Sequence, residues 1–293
     1  SRVSLSPPSP SEPTVVPATA TETPFFFEAH DRPLYAVHHA PRRGRPGAPG
    51  VVVVTGLGVE QLTVYRNNVR VARALAELGF PVLHYHPRGH GDSAGDWAEV
   101  THDRLVEDAR AAGAELLRRS GAGRLAWLGV RFGALAAAAA LDPERDVALA
   151  LWEPVHQPLD YFRSWLRGLL YSQVSRGERP SATVEELLER VERDGHVDVH
   201  GYHLHRALLA SARDRELAGA LTTWHRPTLL AQIQSRARLS DPHAALVARL
   251  ERQGSRVETA LVRVDPGWHF IANPAWEDDD LVRRTAEWLD AVA

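Results

Sequence analysis

Gly129-Val130-Arg131-Phe132-Gly133 is the segment whose residue types and spacing pose the chemical question in this chain. An apolar run, RLAWLGV, leads into it and an alanine-rich run, ALAAAAA, leads out. Glycines two places before and two places after a central residue mark the sharp strand-to-helix turn that presents a catalytic serine. The central residue here is Arg131, whose guanidinium is permanently charged and cannot attack a carbonyl. Its planar fork is instead suited to holding a carboxylate or phosphate. Cysteine does not occur in the sequence, and all the basic residues are arginine, so thiolate and Schiff-base routes are closed. Ser, Thr, Tyr, Asp, Glu, His and water remain as nucleophiles.

Two other clusters carry chemically capable side chains. His84, His86 and His90 lie in HYHPRGH, where the H-x-H spacing puts two rings on one strand face. Such a pair can ligate zinc, but no neighbouring carboxylate cluster completes a site, and a metal is not expected. The four histidines of HVDVHGYHLH are expected at a pocket mouth or a solvated helix start. GLG at 56–58 has neither the third glycine nor the lysine of a phosphate loop.

The elements that must position these residues alternate along the chain. Residues 1–24, rich in Ser, Pro and Thr, read as a flexible arm. FFFEA and PLYAVHH read as an opening hairpin, and VVVVT as a buried strand. VYRNNVRVARALAELG has helical apolar spacing, FPVLHYH is a strand, and the helix that begins near His102 has Thr101 as its cap. RLAWLGV, the glycine-framed turn and its helix, and DVALALWEP continue the alternation, which implies a parallel sheet with right-handed crossovers. Residues 156–223 read as helical, in LDYFRSWLRGLLYSQV, TVEELLERVER and RALLASARDRELAGAL, and interrupt it as a cap over the sheet's C-terminal edge. The pattern resumes with PTLLAQIQ, leaving a core of residues 25–155 and 224–293.

In this order the motifs resemble those of the α/β-hydrolase superfamily. TGLG stands where the family places its oxyanion loop, and HPRGHGDSAG resembles its D-x-R-G-H-G-x-S turn. GVRFG stands at the elbow, and DPGWHF carries a histidine just after the last strand. A narrower resemblance, to exosortase A system-associated hydrolases, is carried by EQLTVYRNNVRVARALAELGFPVLHYHPRGHGDSAGDW, GVRFGALAAAAA, LWEPVHQPLDYFRSWLR and VHGYHL. In that branch an arginine at the elbow is familiar.

The resemblance implies a role for each position. His269 fills the histidine slot and is expected to move a proton or activate water. Leu57 or Gly58, with Phe132, would supply oxyanion N–H groups. The usual acid position, in SRARLSDP, offers Arg236, with Asp241 reading as a helix cap. A second acid position offers Glu153, expected to neutralise Arg131 rather than to orient His269. Ser93 caps its turn in the family and is not expected to attack. His84, His86, Trp152, Asp241 and Trp268 are pocket candidates.

The expected function is an atypical enzyme of hydrolase or acyl-transfer type. Arg131 would clamp an anion or polarise a carbonyl of a small acyl or carboxylate-bearing molecule. The alternative is a non-catalytic relative that binds a ligand or a protein. The formal net charge of -3 argues against nucleic acid as a partner. No apolar run reaches the ~20 residues that span a bilayer, and no secretory signal pattern opens the sequence. A cytoplasmic protein without a cofactor is therefore expected, with a protein partner or a homodimer left open.

Overall fold

The structure, a computed structural model, describes residues 20–264, 266–268 and 276–293. The chain opens with an antiparallel hairpin of β1 (Ala20–Ala29) and β2 (Arg32–Pro41). β1 therefore begins inside the stretch that composition assigned to the arm. Then follow β3 (Gly50–Val54), α1 (Val59–Glu77), β4 (Val82–Tyr85) and α2 (His102–Ser120). β5 (Leu125–Val130), α3 (Gly133–Ala140) and β6 (Asp146–Trp152) complete the first half.

Between β6 and the next sheet strand lie α4 (Pro158–Ser175), α5 (Val184–Asp194), the hairpin β7 (His196–Val199) and β8 (Tyr202–His205), α6 (Arg206–Ala212) and α7 (Leu217–Ala220). The hairpin is a strand pair inside the region whose pattern reads as helical. HVDV and YHLH pair antiparallel across His200 and Gly201, whose φ angles of 55° and 86° are those of a tight two-residue hairpin turn. The chain then runs through β9 (Thr228–Ile233), α8 (Asp241–Arg252), β10 (Val257–Val262) and α9 (Asp279–Val292).

The eight long-range strands form one sheet in the order β1-β2-β4-β3-β5-β6-β9-β10. Only β1 with β2 and β2 with β4 run antiparallel; the remaining neighbours are parallel, as the strand–helix alternation requires. Successive residues of β3 serve opposite faces. Val52 and Val54 join a core with α2, α3, α8 and the α4–α7 region, while Val51 and Val53 join a core with α1 and α9. Burial on both faces is why VVVVT is an unbroken apolar run rather than an alternating one. Among the described residues no helix is long and apolar enough to cross a membrane.

Candidate functional site

The turn between β5 and α3 is built by its glycines. A Cβ on Gly129 would stand 2.6 Å from the Cα of Ala134, and one on Gly133 would overlap the carbonyl oxygen of Thr55. Arg131, between them, takes a φ of 53°. This is the left-handed region, costly for a residue with a side chain by about 1–3 kcal/mol. Its N–H donates to the carbonyl of Trp152 at 2.9 Å, and its carbonyl accepts from Ala134 at 3.1 Å. Because the backbone at Gly133 has no room to retreat, Gly133→Ala should lower unfolding free energy by about 1–3 kcal/mol, the usual cost of overpacking. A chemical-denaturation midpoint equal to that of the parent would show that the turn is not tight.

The partner of Arg131 is Glu60, which the sequence reading did not single out. Nη2 and Nε of Arg131 donate to Glu60 Oε1 at 2.8 and 3.1 Å, and Tyr161 of α4 donates its hydroxyl to Oε2 at 2.9 Å. Glu60 is wholly buried in the first turn of α1, where the helix dipole favours an acid. Burial raises the Glu60 carboxyl above its ordinary value, opposed by the Arg131 charge and the two hydrogen-bonding partners. Burial pulls Arg131 down, but the Glu60 charge leads the influences that return it above the ordinary arginine value. Trp268 lies over the guanidinium at 4.7 Å, and the Tyr161 ring at 5.7 Å. The fork is filled from inside the protein.

The expected Arg131–Glu153 ion pair is therefore corrected. Glu153 offers Arg131 only its backbone carbonyl, which accepts from Nη1 at 3.2 Å. Its φ of 42° turns that carbonyl toward the elbow and sends the side chain toward β9. There its carboxylate accepts from the Ile233 N–H and the Gln234 amide. Burial raises the Glu153 carboxyl, opposed first by the Gln234 hydrogen bond and then by the Arg131 charge. His243 Nε2 stands 3.8 Å from Glu153 Oε1, and its Nδ1 is 2.7 Å from Ser240 Oγ and 3.4 Å from His156 Nε2. Burial pushes His243 down to about 3 and His156 to about 4, so both rings are neutral.

One of the N–H groups expected to serve an oxyanion is already engaged. The Gly58 N–H donates to His90 Nε2 at 3.2 Å, while His90 Nδ1 faces the Arg88 carbonyl at 2.9 Å. These partners fix the tautomer with its proton on Nδ1, and burial pushes His90 down to about 4. Leu57 and Phe132 are buried beside the turn, with Phe132 packed on Tyr161 and Phe162. Val59, Trp165, Val199, His200, Tyr202 and Trp268 enclose a space of about 10 Å³, room for one water at most.

The remaining predicted residues are dispersed. His84 is buried beside Tyr65 and pushed down to about 3 by burial. His86 accepts from the Asp92 N–H, and Ser93 donates to the His86 carbonyl and accepts from the Tyr35 N–H, tying the turn together. Trp152 meets the elbow only through its carbonyl, while its indole donates to Thr285 in the core. Ser240 occupies the N-cap position of α8, so Asp241 is its exposed first residue, and Arg236 is exposed. The histidines of HVDVHGYHLH are divided between the β7–β8 hairpin and the N-terminus of α6, where His205 accepts from Leu208. His269 lies outside the described residues. Among the described residues no three His, Asp or Glu side chains gather as a metal site.

Residues 49–202 match the family described as serine aminopeptidase, S33. No curated protein matches the chain. Est1E from Butyrivibrio proteoclasticus, solved with ferulic acid, superposes with a TM-score of 0.64 at 16% identity, covering 91% of this chain and 96% of that one. An esterase from Pyrococcus furiosus gives 0.65 at 16% identity, covering 94% and 92%. Mouse alpha/beta hydrolase domain-containing protein 10 gives 0.59 at 15% identity, covering 92% and 100%. At such identities the likeness establishes a shared fold.

Proposed function

The chain belongs to the serine aminopeptidase S33 family of α/β-hydrolases, and from that premise we propose that it has left the acyl-serine route and serves as a ligand- or protein-binding module. Family membership supports a hydrolase-type function in general; the finer reading rests on the elbow. One observation carries it: the Arg131 fork is occupied by the buried Glu60 carboxylate, as a ligand's carboxylate would occupy it. The Gly58 N–H, committed to His90, points the same way. A ligand would have to enter with movement of α4, since Tyr161 holds Glu60 from above. The resemblance to exosortase A system-associated hydrolases fits this reading, because an arginine at the elbow is familiar there.

A second reading, an enzyme that activates water without an acyl-serine, is favoured by the left-handed backbone kept at both Arg131 and Glu153. Strain of that kind collects at functional sites. In it Arg131 polarises a carbonyl and His269 transfers the proton.

A fluorophosphonate probe should leave the protein unlabelled, and nitrophenyl esters should hydrolyse no faster than in buffer. Labelling mapped to one serine would overturn both readings. Ester turnover that disappears in Arg131→Ala and His269→Ala would replace the first reading with the second. Arg131→Ser should gain little, because the acyl-serine mechanism needs its members together and Glu60 would be left facing the new hydroxyl.

A further inference from the structure

Tyr85, the last residue of β4, carries a hydroxyl that the protein leaves unsatisfied. The residue is 1% exposed, and its Oη has no hydrogen-bond partner among the described residues. Burial raises the phenol well above its ordinary value, and the Asp108 charge adds to the rise, so the group stays protonated. Buried hydroxyls without a partner are rare in folded proteins, and each requires an explanation.

Tyr85 borders an enclosed space of about 10 Å³, together with Thr55, Leu57, Leu105, Phe132 and Gly133. The start of α3 borders the same space. Phe132 holds its N-cap position without a capping side chain, and neither the Phe132 nor the Gly133 N–H has an acceptor among the described residues. These are donors that a helix leaves over at its N-terminus. The Thr55 carbonyl oxygen lies against Gly133, where a Cβ would overlap it. Two elements far apart in sequence, β4 and α3, thus bring unsatisfied donors to one small space, and the turn after β3 brings an acceptor.

We infer that this space holds one buried water, bound by the Tyr85 hydroxyl, an N–H at the start of α3 and the Thr55 carbonyl. The volume suits a single water, and a buried water makes about three hydrogen bonds. It accepts from the hydroxyl and the N–H and donates to the carbonyl. An anion fits less well, since it would meet the Thr55 carbonyl oxygen and the negative potential of Asp108. The water joins the Thr55–Gly58 turn to the elbow through β4. It does so whether the elbow binds a ligand or turns one over.

Tyr85→Phe is the decisive variant, because the hydroxyl bonds to no other described residue. The substitution keeps the edge-to-face packing on Phe27 and removes only the bond to the water. It should lower the melting temperature by about 2–4 °C, the effect of one lost hydrogen bond in a large domain. Around an empty space the same change would delete an orphaned polar group, and the melting temperature would hold or rise. A high-resolution crystal structure of the parent should show one water peak within hydrogen-bond distance of Tyr85 Oη and of the Phe132 or Gly133 nitrogen. An ordered Tyr85 with no peak beside it, a Tyr85→Phe variant as stable as the parent or more so, or bromide at the site in a soaked crystal would each overturn the inference.

Discussion

Arg131→Ala is expected to reduce the unfolding free energy by about 3–5 kcal/mol, because it strands the Glu60 carboxylate in the interior. Glu60 is wholly buried, and its remaining partner is the Tyr161 hydroxyl. Glu60→Gln should cost a similar amount for the converse reason: the Arg131 guanidinium keeps its charge and loses the countercharge that justified burying it. The pair itself need not be strongly stabilising, since desolvating two ions offsets most of their attraction. The double variant Glu60→Leu, Arg131→Leu should therefore recover much of the loss. Urea unfolding of the parent, both single variants and the double would measure the coupling. Strictly additive losses would mean that the two side chains do not depend on one another, and the elbow would need another explanation.

The second large effect is a fall in stability on acidification. Burial pushes His39, His90 and His156 down to about 4, and His84 and His243 down to about 3, from an ordinary 6.5. Above pH 6.5 these rings are neutral in both the folded and the unfolded chain, and their contribution is fully present. Between pH 6.5 and about 4 the unfolded chain takes up protons that the folded chain refuses. Each such ring then removes stability at about 1.4 kcal/mol per pH unit. The raised carboxyls of Glu60, Asp108, Asp146 and Glu153 act in the opposite sense, since the folded chain protonates them first as the pH falls. The histidines begin titrating at higher pH in the unfolded chain, so stability should fall from pH 6.5 downward. Urea midpoints from pH 7.5 to 4.5 would follow it, and His84→Phe should flatten the slope by about one proton. A midpoint that holds steady or rises toward pH 5 would refute the assignment of these rings as buried and neutral.

The order of elements, the parallel sheet and the tight turn at 129–133 were legible in the sequence. Each follows from local rules. An unbroken run such as VVVVT needs both faces covered, and glycines at 129 and 133 are required by a contact five residues along the chain and by contacts at the end of the adjacent strand. That an arginine stands between those glycines was equally plain, because it depends only on the identity of residue 131. The β7–β8 hairpin was written in the sequence as His200-Gly201 between alternating residues, but the helical periodicity on either side obscured it.

The partner of Arg131 was decided by tertiary structure. Glu60 lies 71 residues away, and only the parallel placement of β3 beside β5 brings the start of α1 against the elbow. One signal for it existed: Glu60 falls on the same helix stripe as Val64, Val71 and Leu75, and a carboxylate on a buried stripe requires a countercharge. That rule states the need for a partner without naming it. Glu153 was the wrong choice because a side chain's direction depends on its own φ, and a left-handed residue turns its carbonyl where an extended one would aim its carboxylate. Sequence thus determined which groups must be neutralised, satisfied or turned. Only the packing of elements far apart in the chain determined by what.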